Sequence, residues 1–140
     1  ILIETYALDL CIQRNLEESI ALLHKDIDRV NAMITSNAYD HFALMNSDIQ
    51  FDDVLCLACG NTKVNEMWQL LRAAIQMVFA INPYYEHGVW TAPTSHQEIV
   101  DALRSGNFEK AKLLLREHLE ETKKSTLSAF RQMEQWKEVE

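Results

Sequence analysis

Apolar side chains recur along the chain at spacings of three and four residues, which is the period of an α-helix. The pattern predicts six helices. The first covers Leu2 to about Gln13. The second follows Asn15, which can form a capping box with Glu18, and it extends to about Ile34. Its predicted inward stripe consists of Ile20, Leu23, Ile27, Val30 and Ile34.

Glycine, proline and capping residues bound the other four predicted helices. The third runs from about Asn37 to Gly60, and the fourth runs from Thr62 to Asn82. An aromatic loop from Tyr84 to Trp90 precedes a short fifth helix, which extends from its cap Thr94 to Gly106. A long sixth helix begins after its cap Asn107 and reaches about Trp136.

The composition favours one compact helical domain. Of the 140 residues, 48% are hydrophobic and 24% are charged, with only 3 Gly and 2 Pro, so long helices joined by few turns are expected. We therefore predict an all-α fold, an antiparallel bundle of six to seven helices that occupies residues 1–140 as a single domain. The formal net charge of −8 argues against a free-standing nucleic-acid binder, which normally presents a basic face.

The cysteines and the apolar runs indicate the compartment. Three cysteines are an odd number, and two of them, Cys56 and Cys59, lie in one helical run, which favours a reducing, cytoplasmic location over a disulfide framework. We interpret this pair as core filling, because no strand or helix N-terminus adjoins it to activate a thiolate. No apolar run has the length of a membrane span, so no membrane association is expected. Helical periodicity already at Leu2 suggests a fragment of a longer protein.

Four titratable residues fall on predicted inward faces. Asp48 and Asp52 lie one turn apart on the third helix, His96 begins the inward stripe of the fifth, and His118 lies within that of the sixth. Two neighbouring buried carboxylates are costly and repel each other. A divalent cation would neutralise them, and the imidazoles would complete its shell, as suits zinc, nickel, manganese or iron. The open alternative is carboxylates at the edge of the stripe and histidines satisfied within the core.

Two further residues extend this hypothesis. Arg72 lies on the inward stripe of the fourth helix. Its guanidinium therefore either reaches solvent along its aliphatic stem or faces an anion inside the bundle. His41 precedes Asp48 by seven residues and is a candidate for an additional metal ligand on the same helix face.

Five short segments resemble those of a known family in their order and spacing: Asp48–Asp52, Ala58–Asn61, Ser95–Leu103, Gly106–Ala111 and Glu117–Leu119. Together they resemble the FCD domain, the FadR-type C-terminal ligand-binding domain of GntR-family bacterial transcription regulators. The resemblance covers nearly the whole chain. Its most specific part is the last third, with a His-led short helix, a Gly-Asn turn and a His-Leu helix.

The resemblance implies a helical bundle that binds a small organic acid, often through a metal held by one aspartate and three histidines. Asp48, His96 and His118 match the aspartate and the second and third histidines, whereas Asp52 stands where the first histidine is usual. An aspartate there makes the site more anionic and harder, which favours cations such as manganese over zinc, or it marks a relative that has lost the metal. No organic cofactor is implied.

The resemblance also carries expectations about partners. It implies DNA binding only through an N-terminal winged-helix domain that this chain does not include. Beyond the resemblance, we predict effector contacts from Arg72, Asn61 and Tyr85 and a homodimeric assembly. Two other functions remain open. A metal-dependent helical enzyme would need an acid or base beside the metal, and a ligand-free interaction module would leave the inward polar residues exposed. The sensor domain, rather than an enzyme, is the function we predict.

Overall fold

The computed structural model describes residues 1–80 and 92–137, apart from the side chains of 41, 79–80, 92–93, 129–130 and 132–137. Within these residues the chain forms six helices and no strand, so the all-α prediction is confirmed. The helices are α1 (Leu2–Arg14), α2 (Leu16–Thr35), α3 (His41–Ala58), α4 (Thr62–Ala80), α5 (Ala92–Arg104) and α6 (Phe108–Lys137). The predicted aromatic loop and the predicted end of the fourth helix at Asn82 lie outside the described residues.

Helix α3 lies at the centre of the bundle. It contacts α1, α2, α4 and α5, while α5 packs against both α2 and α6. Large side chains from five helices fill the space between them, among them Leu8, Leu23, Phe51, Trp68 and Leu115, all fully buried. Burial of each such side chain stabilises the fold by about 1.5–3 kcal/mol. Because α3 is surrounded, a polar residue on its inward face is removed from water.

Two glycines end helices where the sequence predicted an end. Gly60 and Gly106 follow α3 and α5 with φ of +67° and +71°, a left-handed conformation that glycine adopts without steric strain. A side chain at Gly60 would also place its Cβ 2.9 Å from Nδ2 of Asn15. The predicted cap of the last helix is confirmed, because the Lys110 amide donates to Oδ1 of Asn107 over 3.2 Å.

The third helix begins later than predicted. It starts at His41 rather than near Asn37, because Asn37 has a φ of 53° and so lies outside the right-handed helical region. The helix is capped instead by Asp40, whose Oδ1 accepts from the Ala43 amide over 2.8 Å. A left-handed asparagine is a local conformation that hydrophobic periodicity does not register.

Two other predicted helix starts were wrong in detail. Asn15 does precede α2, but its side chain makes no capping hydrogen bond, so the capping box with Glu18 does not form. The Asn15 amide instead lies beside the glycine that ends α3. The fifth helix begins at Ala92, so Thr94 lies inside its first turn rather than at its cap.

The three cysteines are buried and free. Burial raises the pKa of the Cys11 thiol to about 11, and burial also raises the pKa of Cys56. Both thiols therefore stay protonated and unreactive at neutral pH, which supports the interpretation of the Cys56–Cys59 pair as core filling. Among the described helices, none is both long enough and apolar enough to cross a bilayer.

Candidate metal centre

Three helices that are distant in sequence bring one aspartate and two histidines together inside the bundle. Asp48 lies on α3, His96 on α5 and His118 on α6, and all three residues are buried. Oδ1 of Asp48 lies 3.3 Å from Nε2 of His96 and 3.5 Å from Nε2 of His118. The two Nε2 atoms are 3.3 Å apart. We call these three residues the Asp-His-His triad.

The triad has the dimensions of one face of a tetrahedral metal shell. With bonds of about 2.0–2.1 Å to nitrogen and oxygen, tetrahedral geometry separates neighbouring ligand atoms by about 3.3–3.4 Å. The three separations within the triad, 3.3, 3.3 and 3.5 Å, are close to this value. Two imidazoles and a carboxylate suit zinc, nickel, manganese or iron. The donor set therefore fits a divalent cation and leaves coordination positions for another ligand.

Phe51 and Ser95 position the two imidazoles. The His96 ring stacks on Phe51, with ring centroids 3.8 Å apart and an interplanar angle of 7°. Oγ of Ser95 lies 3.0 Å from Nδ1 of His118, so a hydrogen bond at Nδ1 leaves Nε2 facing the carboxylate of Asp48. Sequence reasoning missed both contacts, although the two residues belong to the segments that resemble the FCD domain.

The surroundings of His118 favour the form of its imidazole that binds metal. Burial lowers the pKa of His118 below its ordinary 6.5; the charge of Asp48 opposes this shift and the neighbouring His96 reinforces it. The neutral imidazole is therefore the stable form near neutral pH. A metal ion needs that form, because a protonated imidazole nitrogen has no lone pair to offer.

Asp52 is buried one helical turn beyond Asp48, yet it does not join the triad. Among the described residues, only Asp48, His96 and His118 bring metal-ligating atoms within 4.8 Å of one another. Burial, followed by repulsion from Asp48 and Glu4, raises the pKa of Asp52 well above its ordinary 3.8. Of the four residues predicted as ligands, the structure thus brings three together.

A cavity of about 370 Å³ adjoins the triad between α1, α3, α4 and α6. Asp48, Asp52 and His118 contribute to its lining. Most of the remaining wall is apolar, from Ile49, Ala74, Ile75, Val78, Leu119 and Leu127. A volume of this size, with apolar walls and a few convergent polar groups, is typical of a small-molecule pocket.

Two of the residues predicted to contact an effector, Arg72 and Asn61, are described, and neither lines the cavity. Nε of Arg72 donates to Oδ2 of Asp53 over 2.6 Å, and Arg72 is absent from the cavity lining. Oδ1 of Asn61 accepts from two backbone amides in the first turn of α4, at 3.0 and 3.3 Å. Tyr85 and the side chain of His41 lie outside the described residues. An effector contact from any of them stays a prediction.

The burial of the polar residues argues against one alternative function. A ligand-free interaction module would leave the inward acids and histidines in water, but Asp48, Asp52, His96 and His118 are all at least nine-tenths buried. Removing these groups from water is costly unless a charge or a ligand compensates them. The arrangement is that of a buried polar cluster beside a cavity.

Comparison with known proteins agrees with this geometry. A family model described as the FCD domain matches residues 1–121, a range that includes the whole triad. No curated protein and no solved structure matches the chain. The resemblance inferred from the sequence is therefore confirmed. The chain belongs to the FCD domain family, the effector-binding regulatory domains of GntR-type transcription regulators.

Proposed function

We propose that this domain senses a small organic acid, which it binds in the cavity through a divalent cation held by Asp48, His96 and His118. The observation that carries the proposal is the buried triangle of ligand atoms, which has tetrahedral dimensions and adjoins the cavity. When bound, the cation would supply the positive charge that attracts a carboxylate. Without it, the carboxylates of the cavity floor would repel an anionic ligand.

The position of the triad explains how binding could affect the whole domain. Its members come from α3, α5 and α6, so a ligand that shifts the cation would bias the packing of three helices at once. Such a change regulates a protein only if the ligand binds two packings of these helices with different affinity. The hydrogen bond that Nδ1–H of His118 donates to Oγ of Ser95, and the stacking of the His96 ring on Phe51, would limit how far the imidazoles move with the cation.

Acid binding is expected to require the metal. Calorimetric titration with small carboxylic acids should give affinities at least about tenfold higher for the metal-loaded than for the metal-free domain, since an interaction with a charged group contributes about 1.5–3 kcal/mol. His118→Ala should lose this difference. His24→Ala is the matched control, because His24 lies on α2 and does not line the cavity. Its Nε2 lies 3.7 Å from Oδ2 of Asp28 on the same helix. Equal affinities with and without metal would contradict the proposal.

We also propose a homodimer that forms through an exposed apolar face of α4. Met67, Leu70, Leu71 and Met77 follow one another at helical spacing, and Leu70 and Met77 are 80% and 72% exposed. The charged residues described next to this α4 face are Lys63 and Glu66 in the first turns of the helix. They pair with each other, with Nζ of Lys63 2.7 Å from Oε2 of Glu66.

The charge of the chain favours a second copy as the occupant of this α4 face. Each copy carries a net charge of −8, so two copies repel each other over much of their surfaces. An uncharged apolar face lets them approach without like-charge contacts and buries the exposed side chains. A dimer also suits a regulator whose DNA-binding domains read two half-sites.

Leu70→Glu is expected to convert the dimer to a monomer. The substitution occurs twice in a symmetric dimer, and each copy removes a buried leucine worth about 1.5–3 kcal/mol, so the dissociation constant should rise at least about a hundredfold. Light scattering coupled to size-exclusion chromatography measures the change. Leu113→Glu is the control, because Leu113 is also an exposed leucine, at 54%, but belongs to a different helix, α6. A dimer that survives Leu70→Glu would show that another surface forms it.

The remaining parts of the proposal concern the cellular setting. We place the domain in the cytoplasm, which the three buried free cysteines support. Contact with DNA would come from a winged-helix domain that precedes it. A regulatory rather than catalytic role is supported by the family, whose members are effector-binding domains.

A further inference from the structure

Asp52 offers an unused hydrogen-bond acceptor to the cavity. The residue is only 9% exposed, and its Oδ1 has no hydrogen-bond partner among the described residues. It lines the cavity together with Asp48 and His118. Asp48 and Asp52 lie four residues apart on α3, so they face the same side of the helix with Cβ atoms about 5–6 Å apart. A ligand that reaches the triad therefore also meets Asp52.

The charges around the cavity indicate what kind of ligand suits this acceptor. A divalent cation on the triad would balance the charges of Asp48 and ionised Asp52. Glu4 also lines the cavity, but its Oε2 is paired with the terminal ammonium of Ile1 over 2.6 Å. A simple carboxylic acid would then leave one uncompensated negative charge in a largely apolar pocket, whereas a zwitterion would leave none. Lys123 is the one lysine or arginine among the lining residues, but it is exposed and its Nζ lies 3.3 Å from Oε2 of Glu120. It does not neutralise Asp52.

We propose that the effector is an apolar α-amino acid, whose ammonium group donates to Asp52 while its carboxylate binds the cation on the triad. This inference rests on the proposed function. The two charged groups of an α-amino acid are separated by one carbon, which suits acceptors one helical turn apart. An ammonium carries three donors, and its hydrogen bond to a buried carboxylate is charge-assisted.

The rest of the cavity indicates the side chain of this amino acid. Ile49, Ile75, Val78, Leu119 and Leu127 supply apolar surface to the wall. The hydroxyls of Thr122 and Thr126, which also line the cavity, already donate to backbone carbonyls. A charged or strongly polar side chain would lose hydration against the apolar wall, whereas an aliphatic one gains from burial. Alanine, valine and leucine are therefore suitable probes of different size.

The test compares each amino acid with its analogues that lack the ammonium group. The zinc-loaded domain is titrated by calorimetry with alanine, valine and leucine, with the corresponding 2-hydroxy acids, and with the unsubstituted acids. We expect at least one amino acid to bind about tenfold or more tightly than both of its analogues, the range for a charge-assisted hydrogen bond. Asp52→Asn should reduce this preference to less than about threefold. Asp28→Asn, an exposed aspartate on α2, should keep it. The rise in melting temperature with each ligand is a second readout.

The outcomes separate this inference from the proposed function. If hydroxy acids or other carboxylic acids bind in a metal-dependent manner and amino acids bind no better, the ammonium role of Asp52 is overturned and the proposed function stands. Retention of the preference in Asp52→Asn would also overturn it. If no acid of either kind binds the metal-loaded domain, both the inference and the proposed function fail.

Discussion

A chelator is expected to lower the melting temperature of the metal-loaded domain, and added zinc, nickel or manganese is expected to restore it. The ligands come from three helices, so the unfolded chain offers no preformed site and the cation binds the native state preferentially. At a hundredfold excess over the dissociation constant, such binding stabilises the fold by about 2.7 kcal/mol. For a domain of this size the corresponding loss is roughly 10 °C.

The response to the chelator should depend on the triad and on pH. His118→Ala should melt at the same temperature with and without chelator, whereas His24→Ala should respond as the parent does. Burial lowers the pKa of His118 below 6.5, so protons compete for its nitrogen only as the pH falls through that lowered value. Metal affinity should therefore be retained at pH 7 and decline in acid. A full chelator response in His118→Ala would exclude the triad as the metal site.

Asp52 and Asp53 are adjacent on α3. Removing the charge of one and removing the charge of the other are expected to change the stability of the fold in opposite directions. Asp52→Asn should stabilise the metal-free domain by about 1–3 kcal/mol at pH 7, because it replaces a buried carboxylate whose Oδ1 has no partner among the described residues. Asp53→Asn should destabilise it by about 1–3 kcal/mol. Oδ2 of Asp53 accepts from Arg72 over 2.6 Å, and its Oδ1 accepts from Nε1 of Trp68 over 2.5 Å. Urea unfolding measures both changes.

The pH dependence of this pair provides an internal control. The pKa of Asp52 is raised in the folded state, so folding favours its protonated form. The stability contributed by Asp52 is therefore present below pH 3.8 and is lost as the pH rises through the raised value. The advantage of Asp52→Asn should accordingly disappear in acid. If Asp52→Asn and Asp53→Asn shift stability in the same direction at pH 7, the burial assigned to Asp52 is wrong.

The sequence predicted the triad because helical periodicity determines which residues face inward. Asp48, His96 and His118 each occupy an apolar stripe, and helices packed around one core bring such positions together. The ends of α3 and α5 could also be predicted from the sequence, since Gly60 and Gly106 occupy left-handed conformations that favour glycine. These features follow from local pattern and local geometry.

Other features depend on tertiary contacts that periodicity does not encode. One helical turn separates Asp48 from Asp52, so both were predicted to face inward, but spacing did not reveal that only Asp48 reaches the histidines. Arg72 was expected to meet either solvent or an anion, and the anion proves to be Asp53 on the neighbouring helix. The contacts of Phe51 and Ser95 with the imidazoles likewise join residues from different helices.

Metal content measured after equilibrium dialysis against a divalent cation tests the central claim most directly. The parent domain and His24→Ala are each expected to retain about one equivalent of zinc, nickel or manganese per chain by elemental analysis, as one triad predicts. Asp48→Asn and His118→Ala should retain less than about a tenth of that amount under the same conditions, because losing even a supporting partner of a metal ligand weakens binding about 10–100-fold. A parent domain without metal, or triad variants that hold as much as the parent, would contradict the account.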